Sequence, residues 1–363
     1  MKRRRGIEKF PLYSRRHLFP FPVLPAPSLV EGRLRKGLFP LFLILGSLLL
    51  NPSCTKNPQP YKETRFMMGT LVEVVLYTGL EVAPDAAAQA FEKMLQVEAA
   101  AHPSEEGSPL FQIRQGKGAK IEGDLARILE TAMNVSRATS GAFDPTLGEV
   151  VHMWGFGRDD PHLPGPGGVE HALDKTGYER IPAGQCCSEG DVIWFDLGGV
   201  AKGYAVDDAV RVLQEAGVKA GIVNAGGDLR SFGARPRRGY WKIGVQDPEN
   251  PQQLAGILEV KEAAVATSGD YQRYFEEGGI RYHHILDPAT GYPARSGLRG
   301  TTVIAPGCAT ADALATAAFV LGPEKGLALL ENWEGVEGVL ITEDRTILTT
   351  SGIGEQGIRF EKR

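Results

Sequence analysis

Cysteine is scarce in this chain, and none of it is arranged to hold zinc. Only four cysteines occur in 363 residues, and no His/Cys pairs stand at ligand spacing, which leaves out a structural zinc site. Cys186 and Cys187 are neighbours, and adjacent cysteines seldom bridge each other because the geometry is strained. Excess positive charge is also missing. A formal net charge of −4 gives no electrostatic footing for nucleic acid. The glycine spacings match neither a Walker loop nor a Rossmann fingerprint, and no repeat of solenoid period is visible. The apolar run Leu38 to Leu50 falls short of the ~20 residues that a transmembrane helix needs.

What is present is ordinary for a soluble globular protein: 42% hydrophobic and 23% charged residues, enough for a core that stands without staples. The 45 glycines cluster in short motifs rather than in a low-complexity tract, a pattern that favours tight turns near a ligand. The amino-terminal part is basic and proline-rich, with Lys2-Arg3-Arg4-Arg5, Arg15-Arg16 and Arg35-Lys36 ahead of the apolar run. A positive stretch followed by an apolar run of this length reads as an export signal. Pro52-Ser53-Cys54 comes next and is similar to a lipoprotein cleavage site, although Asn51 stands where Leu is usual. The expected organisation is an export segment over 1–54, a linker over 55–63 and one large folded domain over 64–363. The long basic stretch also fits a translation start near residues 30–34. Plain secretion or an uncleaved anchor remains open beside lipidation at Cys54.

Along the exported part, alternation and β-branching predict a strand over Leu71–Tyr77. Apolar periodicity predicts helices over Pro84–Ala101 and Gly123–Ser140. A turn is expected over Ala142–Gly148, and a short strand over Val192–Phe195 ends in Asp196-Leu-Gly-Gly-Val-Ala-Lys-Gly203 before a helix over Tyr204–Gly217. Gly221 to Asp228 is a second strand with a glycine turn, followed by Leu229–Gly233. Trp241–Val245, Ala255–Val260, Val265–Ser268 and Thr301–Ala305 read as further strands. Several strands in succession with helices inserted at intervals predict an α+β fold rather than a regular βαβ array.

The stretch from Arg281 to Thr316 carries the most chemistry. His283 and His284 run into Asp287-Pro-Ala-Thr-Gly291. Neighbouring side chains on a strand face opposite ways, so at most one of the two histidines reaches a given site. His284 suits a general base; a structural histidine is the other reading. Asp312 and Thr316 stand four apart at the start of an Ala-rich helix, hence on one face. A carboxylate and a hydroxyl together suit a hard cation such as Mg²⁺, and equally a capping Asp with a buried Thr. The Gly198-Gly199 turn with Lys202 suits phosphate at a helix start, or a purely structural turn.

Six motifs then occur in one order. They are Phe66-Met-Met-Gly-Thr70, Gly141-Ala-Phe-Asp-Pro-Thr146, Asp196–Gly203, Asn224-Ala-Gly-Gly-Asp228, His284–Gly291 and Ala311-Asp-Ala-Leu-Ala-Thr316. In that order they resemble the ApbE family of FAD:protein FMN transferases, over roughly Thr64 to the carboxyl end. The resemblance implies a T-fold-like α+β architecture of mixed or antiparallel sheets with helices. It implies that FMN is transferred from FAD to a Thr or Ser hydroxyl of a target protein, with Mg²⁺ as cofactor and AMP released. It assigns Met68, Ala142, Phe143, Asp144, Asp196, Lys202 and Leu286 to the FAD site. Gly199, through its carbonyl, Asp312 and Thr316 are assigned to the metal, and His284 lies near the reacting phosphate as the catalytic residue. Targets would be sodium-pump or related electron-transfer subunits, on the periplasmic side of a membrane reached through a lipid anchor. An Mg²⁺-dependent FAD pyrophosphatase and a non-catalytic FAD-binding lipoprotein remain alternatives. One departure stands out: Arg114 occupies a position where Asn is expected, and no aromatic residue lies between Ala101 and Ser108. This puts stacking on FAD from that side in doubt.

Overall fold

A computed structural model describes residues 59–103, 105–156, 160–181, 186–355 and 357–363. The expected export segment, Cys54 and the first residues of the linker lie outside them. The folded unit begins inside the expected linker, because Tyr61–Met67 is already a strand.

Eight antiparallel strands form the central sheet. In spatial order they are Tyr61–Met67, Thr70–Leu76, Gly221–Ala225, Asp228–Phe232, Ala264–Gly269, Leu298–Ala305, Glu337–Thr342 and Ile347–Thr349. Alternation decides the faces. On Thr70–Leu76, Val72, Val74 and Leu76 are fully buried and pack under the helices Ala83–Ala101, Gly123–Ala138, Ala201–Glu215 and Cys308–Glu331. The opposite face meets a smaller antiparallel sheet of Trp241–Gln246, Leu254–Val260 and Arg359–Lys362, through Leu229, Val265, Ile304 and Val339 on one side and Trp241, Ile243 and Leu258 on the other. A third apolar cluster gathers Leu147, Trp154, Phe156 and Leu286 beneath the hairpin Tyr274–Glu277/Ile280–His283. The α+β expectation therefore holds, with helix and sheet segregated into layers.

Three local expectations need correction. Val192–Phe195 joins no sheet. It bonds singly to the neighbouring turn, with Gly148 N–H on the Trp194 carbonyl and Asp196 N–H on the Pro145 carbonyl, so no ladder forms. The helix expected from Tyr204 starts at Ala201, which moves Lys202 from the turn into the first helical turn. The single strand expected at Leu71–Tyr77 is half of a hairpin whose two turn residues, Met68 and Gly69, both have positive φ, at 51° and 70°. That is the backbone sign a two-residue hairpin turn needs.

The Ala-rich helix Cys308–Glu331 is apolar enough to cross a membrane on composition, but it packs as a core helix against the sheet and the Ala201–Glu215 helix. Its close approach depends on Gly203. A Cβ there would lie 2.3 Å from the Cys308 carbonyl oxygen. The helix start is capped from the partner helix, since both Asp207 carboxylate oxygens accept backbone N–H groups, from Cys308 at 2.9 Å and Ala309 at 3.0 Å.

Candidate active site

Strand ends and helix starts converge on a cavity of about 460 Å³, within the range typical of small-molecule and cofactor sites. It gathers Ala142, Phe143, Asp144, Asp196, Gly199, Lys202, His284, Leu286, Asp312 and Thr316, drawn from four separate segments of the chain. Met68 is the predicted residue that does not line it. Its neighbours Gly69 and Thr70 do, while Met68 packs partly buried against the helical core and donates its N–H to Glu98 at 3.0 Å.

Asp312 and Thr316 share one helical face, and Gly199 comes alongside: a Cβ on Gly199 would stand 3.2 Å from Thr316 Oγ1. Asp312 is only 4% exposed. Burial, then the nearby Asp228 charge, push its carboxyl up to about 7 against the pull of Lys202. The two hydrogen bonds it accepts, from Gly203 N–H at 3.3 Å and Lys202 Nζ at 3.4 Å, both fall on Oδ2. Oδ1 is left for another ligand. A buried carboxylate whose charge is penalised, next to a hydroxyl and a backbone turn, forms an all-oxygen donor set that fits Mg²⁺. Lys202 is committed on the protein side: its ammonium pairs with Asp228 at 2.6 Å as well as Asp312. Burial opposes its charge, yet these two carboxylates together raise its pKa.

His284 lines the same cavity. Its ring Nδ1 lies 3.2 Å from the Arg273 carbonyl oxygen. A carbonyl only accepts, so Nδ1 carries the hydrogen and Nε2 keeps its lone pair. Burial first, and the Arg273 charge second, hold the imidazole neutral, with the pKa lowered to about 3. His283 points the other way, as strand alternation requires: Nε2 donates to the Ala294 carbonyl at 3.0 Å and the ring packs edge-on against Phe319.

Asp144 lines the cavity but spends its carboxylate on architecture. Oδ1 accepts from Thr146 N–H and hydroxyl at 2.8 and 2.6 Å, and Oδ2 from Tyr178 N–H at 3.0 Å. Asp196 likewise fixes the glycine turn by accepting from Gly198 N–H at 2.9 Å, and burial raises its pKa. Phe143 and Leu286, both 5% exposed, supply apolar wall. The described residues of the divergent 101–114 segment do not line the cavity. Ser108 caps the short helix Pro109–Arg114, and Arg114 lies over the Trp194 ring at 4.8 Å.

Residues 68–340 match the model of the ApbE family. The chain belongs to the ApbE family. It is 32% identical over 316 residues to an FAD:protein FMN transferase of Treponema pallidum (strain Nichols), covering 81% of this chain and 87% of the relative. Among solved structures it is similar to the ApbE protein of Thermotoga maritima, at 34% identity and a TM-score of 0.75, covering 81% of this chain and 97% of that one. It is also similar to the flavin transferase ApbE of Vibrio cholerae, at 26% identity and 0.72, with coverage of 81% and 97%.

Three residues lining this ApbE site, Asp228, Ser268 and Arg273, and Asp207 that supports it, have no role in the sequence reading. Asp228 closes Asn224-Ala-Gly-Gly-Asp228, which the sequence presents as a glycine turn and as one of the six family motifs, with no role for its carboxylate. The buried Lys202 needs an acid partner, and that was the available signal. Ser268 holds the Thr316 hydroxyl at 3.1 Å, and Arg273 anchors His284. Asp207 caps a helix more than one hundred residues away, and local sequence carries no signal for such a contact.

Proposed function

We propose that this ApbE protein transfers FMN from FAD to a Ser or Thr hydroxyl of a target protein, with Mg²⁺ bound by the Gly199 carbonyl, the Asp312 carboxylate and the Thr316 hydroxyl. One observation carries the reading: an all-oxygen donor set around the buried Asp312 and a neutral histidine with a free Nε2 line the same cavity. His284 Nε2 takes the proton of the acceptor hydroxyl. The hydroxyl oxygen bonds to the FMN-side phosphorus, the bridging P–O bond breaks, and AMP leaves with those electrons. Mg²⁺ supplies charge neutralisation at the phosphoryl oxygens. Lys202 holds Asp312 in place through its pair with Asp228, and Phe143 and Leu286 exclude water from the flavin side.

Incubation with FAD, Mg²⁺ and an acceptor carrying a Ser/Thr flavinylation site tests this directly. Covalent flavin on the acceptor supports transfer; FMN and AMP in solution with no acceptor labelled would show a pyrophosphatase instead. Unchanged FAD would leave only a binding protein. Asp312→Ala should lower the transfer rate by more than about 100-fold, the scale of losing several kcal/mol of charge stabilisation. Export, anchoring through a lipid on Cys54 and a periplasmic site of action on membrane electron-transfer subunits belong to the same proposal. They rest on the basic stretch, the Leu38–Leu50 run and Ser53-Cys54. A Cys54→Ser chain that still incorporated labelled fatty acid in cells would refute the anchor.

A further inference from the structure

We propose that the Arg273 side chain binds the pyrophosphate of FAD. The inference rests on the FAD reading of the cavity and begins with its charges. Four carboxylates line it, Asp144, Asp196, Asp228 and Asp312, against two cations, Lys202 and Arg273. A pyrophosphate diester adds two more negative charges. Lys202 is tied to Asp228 and Asp312. Arg273 differs: its guanidinium makes no hydrogen bond or ion pair among the described residues, and its charge is felt across the cavity by Asp196, Lys202 and His284. Besides the expected metal, it is the positive charge in the cavity still available to an anion.

The main chain around it is held on both sides. The Gln272 side chain donates to the Thr267 carbonyl at 3.0 Å. The Arg273 carbonyl accepts twice from His284, from its N–H at 3.1 Å and from its ring at 3.2 Å. The backbone is therefore fixed while the planar fork stays free, the arrangement that suits bidentate capture of phosphate oxygens at low entropic cost. The same carbonyl orients the base, so one residue ties the anion site to the position of His284.

Flavin fluorescence titrations in EDTA, with FAD and with uncharged riboflavin, separate this from a structural role. Arg273→Gln should weaken FAD binding at least about tenfold, as expected for a lost charge-assisted contact, while riboflavin affinity stays within about twofold. Arg273→Lys should fall between, because the point charge survives and the fork does not. Arg273→Gln binding FAD like the wild type would overturn the inference, and so would an equal loss for FAD and riboflavin. A wild-type protein that binds no FAD would overturn the functional reading itself. Covalent transfer by the wild type together with unchanged FAD binding by Arg273→Gln would sink this inference alone.

Discussion

At the residue scale the decisive features are protonation states imposed by the surroundings. In the proposed mechanism His284 acts through its Nε2 lone pair, which the Arg273 carbonyl leaves free by holding Nδ1–H; burial lowers the pKa to about 3, which keeps the ring neutral and makes it a weaker base than a free imidazole. His284→Gln should therefore reduce FMN transfer by roughly 10²- to 10⁴-fold while FAD still binds, the usual scale for losing a positioned general base. The ratio of wild-type to variant rate should stay level as pH falls through about 6.5, since an imidazole titrating near 3 is not protonated in that range. A ratio that collapses near an ordinary histidine pKa would show that His284 is solvated and not held as described. The sequence carried the identity of these groups but not their states. The spacing of Asp312 and Thr316 placed them on one face, and alternation separated His283 from His284. The Lys202–Asp228–Asp312 cluster joins three distant segments, and no local pattern encodes it.

At the element scale, two helices bring the site together. Ala201–Glu215 delivers Lys202 and Cys308–Glu331 delivers Asp312 and Thr316, so the spacing between the helices sets how Lys202 meets Asp312. Gly203 closes the Asp196–Gly203 motif, whose Gly198-Gly199 turn suits phosphate or a purely structural turn. In the structure Gly203 is the contact point of the two helices, where a Cβ would meet the Cys308 carbonyl oxygen at 2.3 Å. Gly203→Val should force the helices apart and destabilise the protein by about 1–3 kcal/mol, the usual cost of overpacking, seen as a lower denaturation midpoint. Because Gly203 N–H also bonds Asp312 Oδ2 at 3.3 Å, transfer at low Mg²⁺ should fall further than stability alone explains. A variant with wild-type stability and wild-type Mg²⁺ dependence would refute the packing role. The elements with strong period, such as Ala83–Ala101 and Gly123–Ala138, were legible in sequence to within a few residues. Val192–Phe195 was not, because its β-like composition serves single bonds to a turn.

At the scale of the whole molecule, buried titratable groups couple the site to stability. His283 is 4% exposed and its Nδ1 has no hydrogen-bond partner among the described residues. Burial lowers its pKa from 6.5 to about 4. Between those values the unfolded chain binds a proton that the native protein does not. Its stabilising contribution is thus complete above about pH 6.5 and falls as the pH drops toward 4, by up to about 1.4 kcal/mol per unit. Asp312 acts with the opposite sign: its raised pKa means that metal-free native protein takes up a proton from about pH 7 downward, before the unfolded chain does. The wild-type curve sums both effects and does not isolate either. The difference between wild type and His283→Gln does. Glutamine keeps a donor for the Ala294 carbonyl and has no titrating ring. The variant should be the less stable protein at neutral pH, and the gap in unfolding free energy should narrow steadily as the pH falls below about 6.5. A gap independent of pH across that window would mean that His283 titrates alike in the folded and unfolded chains, and that the core between the Ile280–His283 strand and Phe319 is wetter than the packing described here.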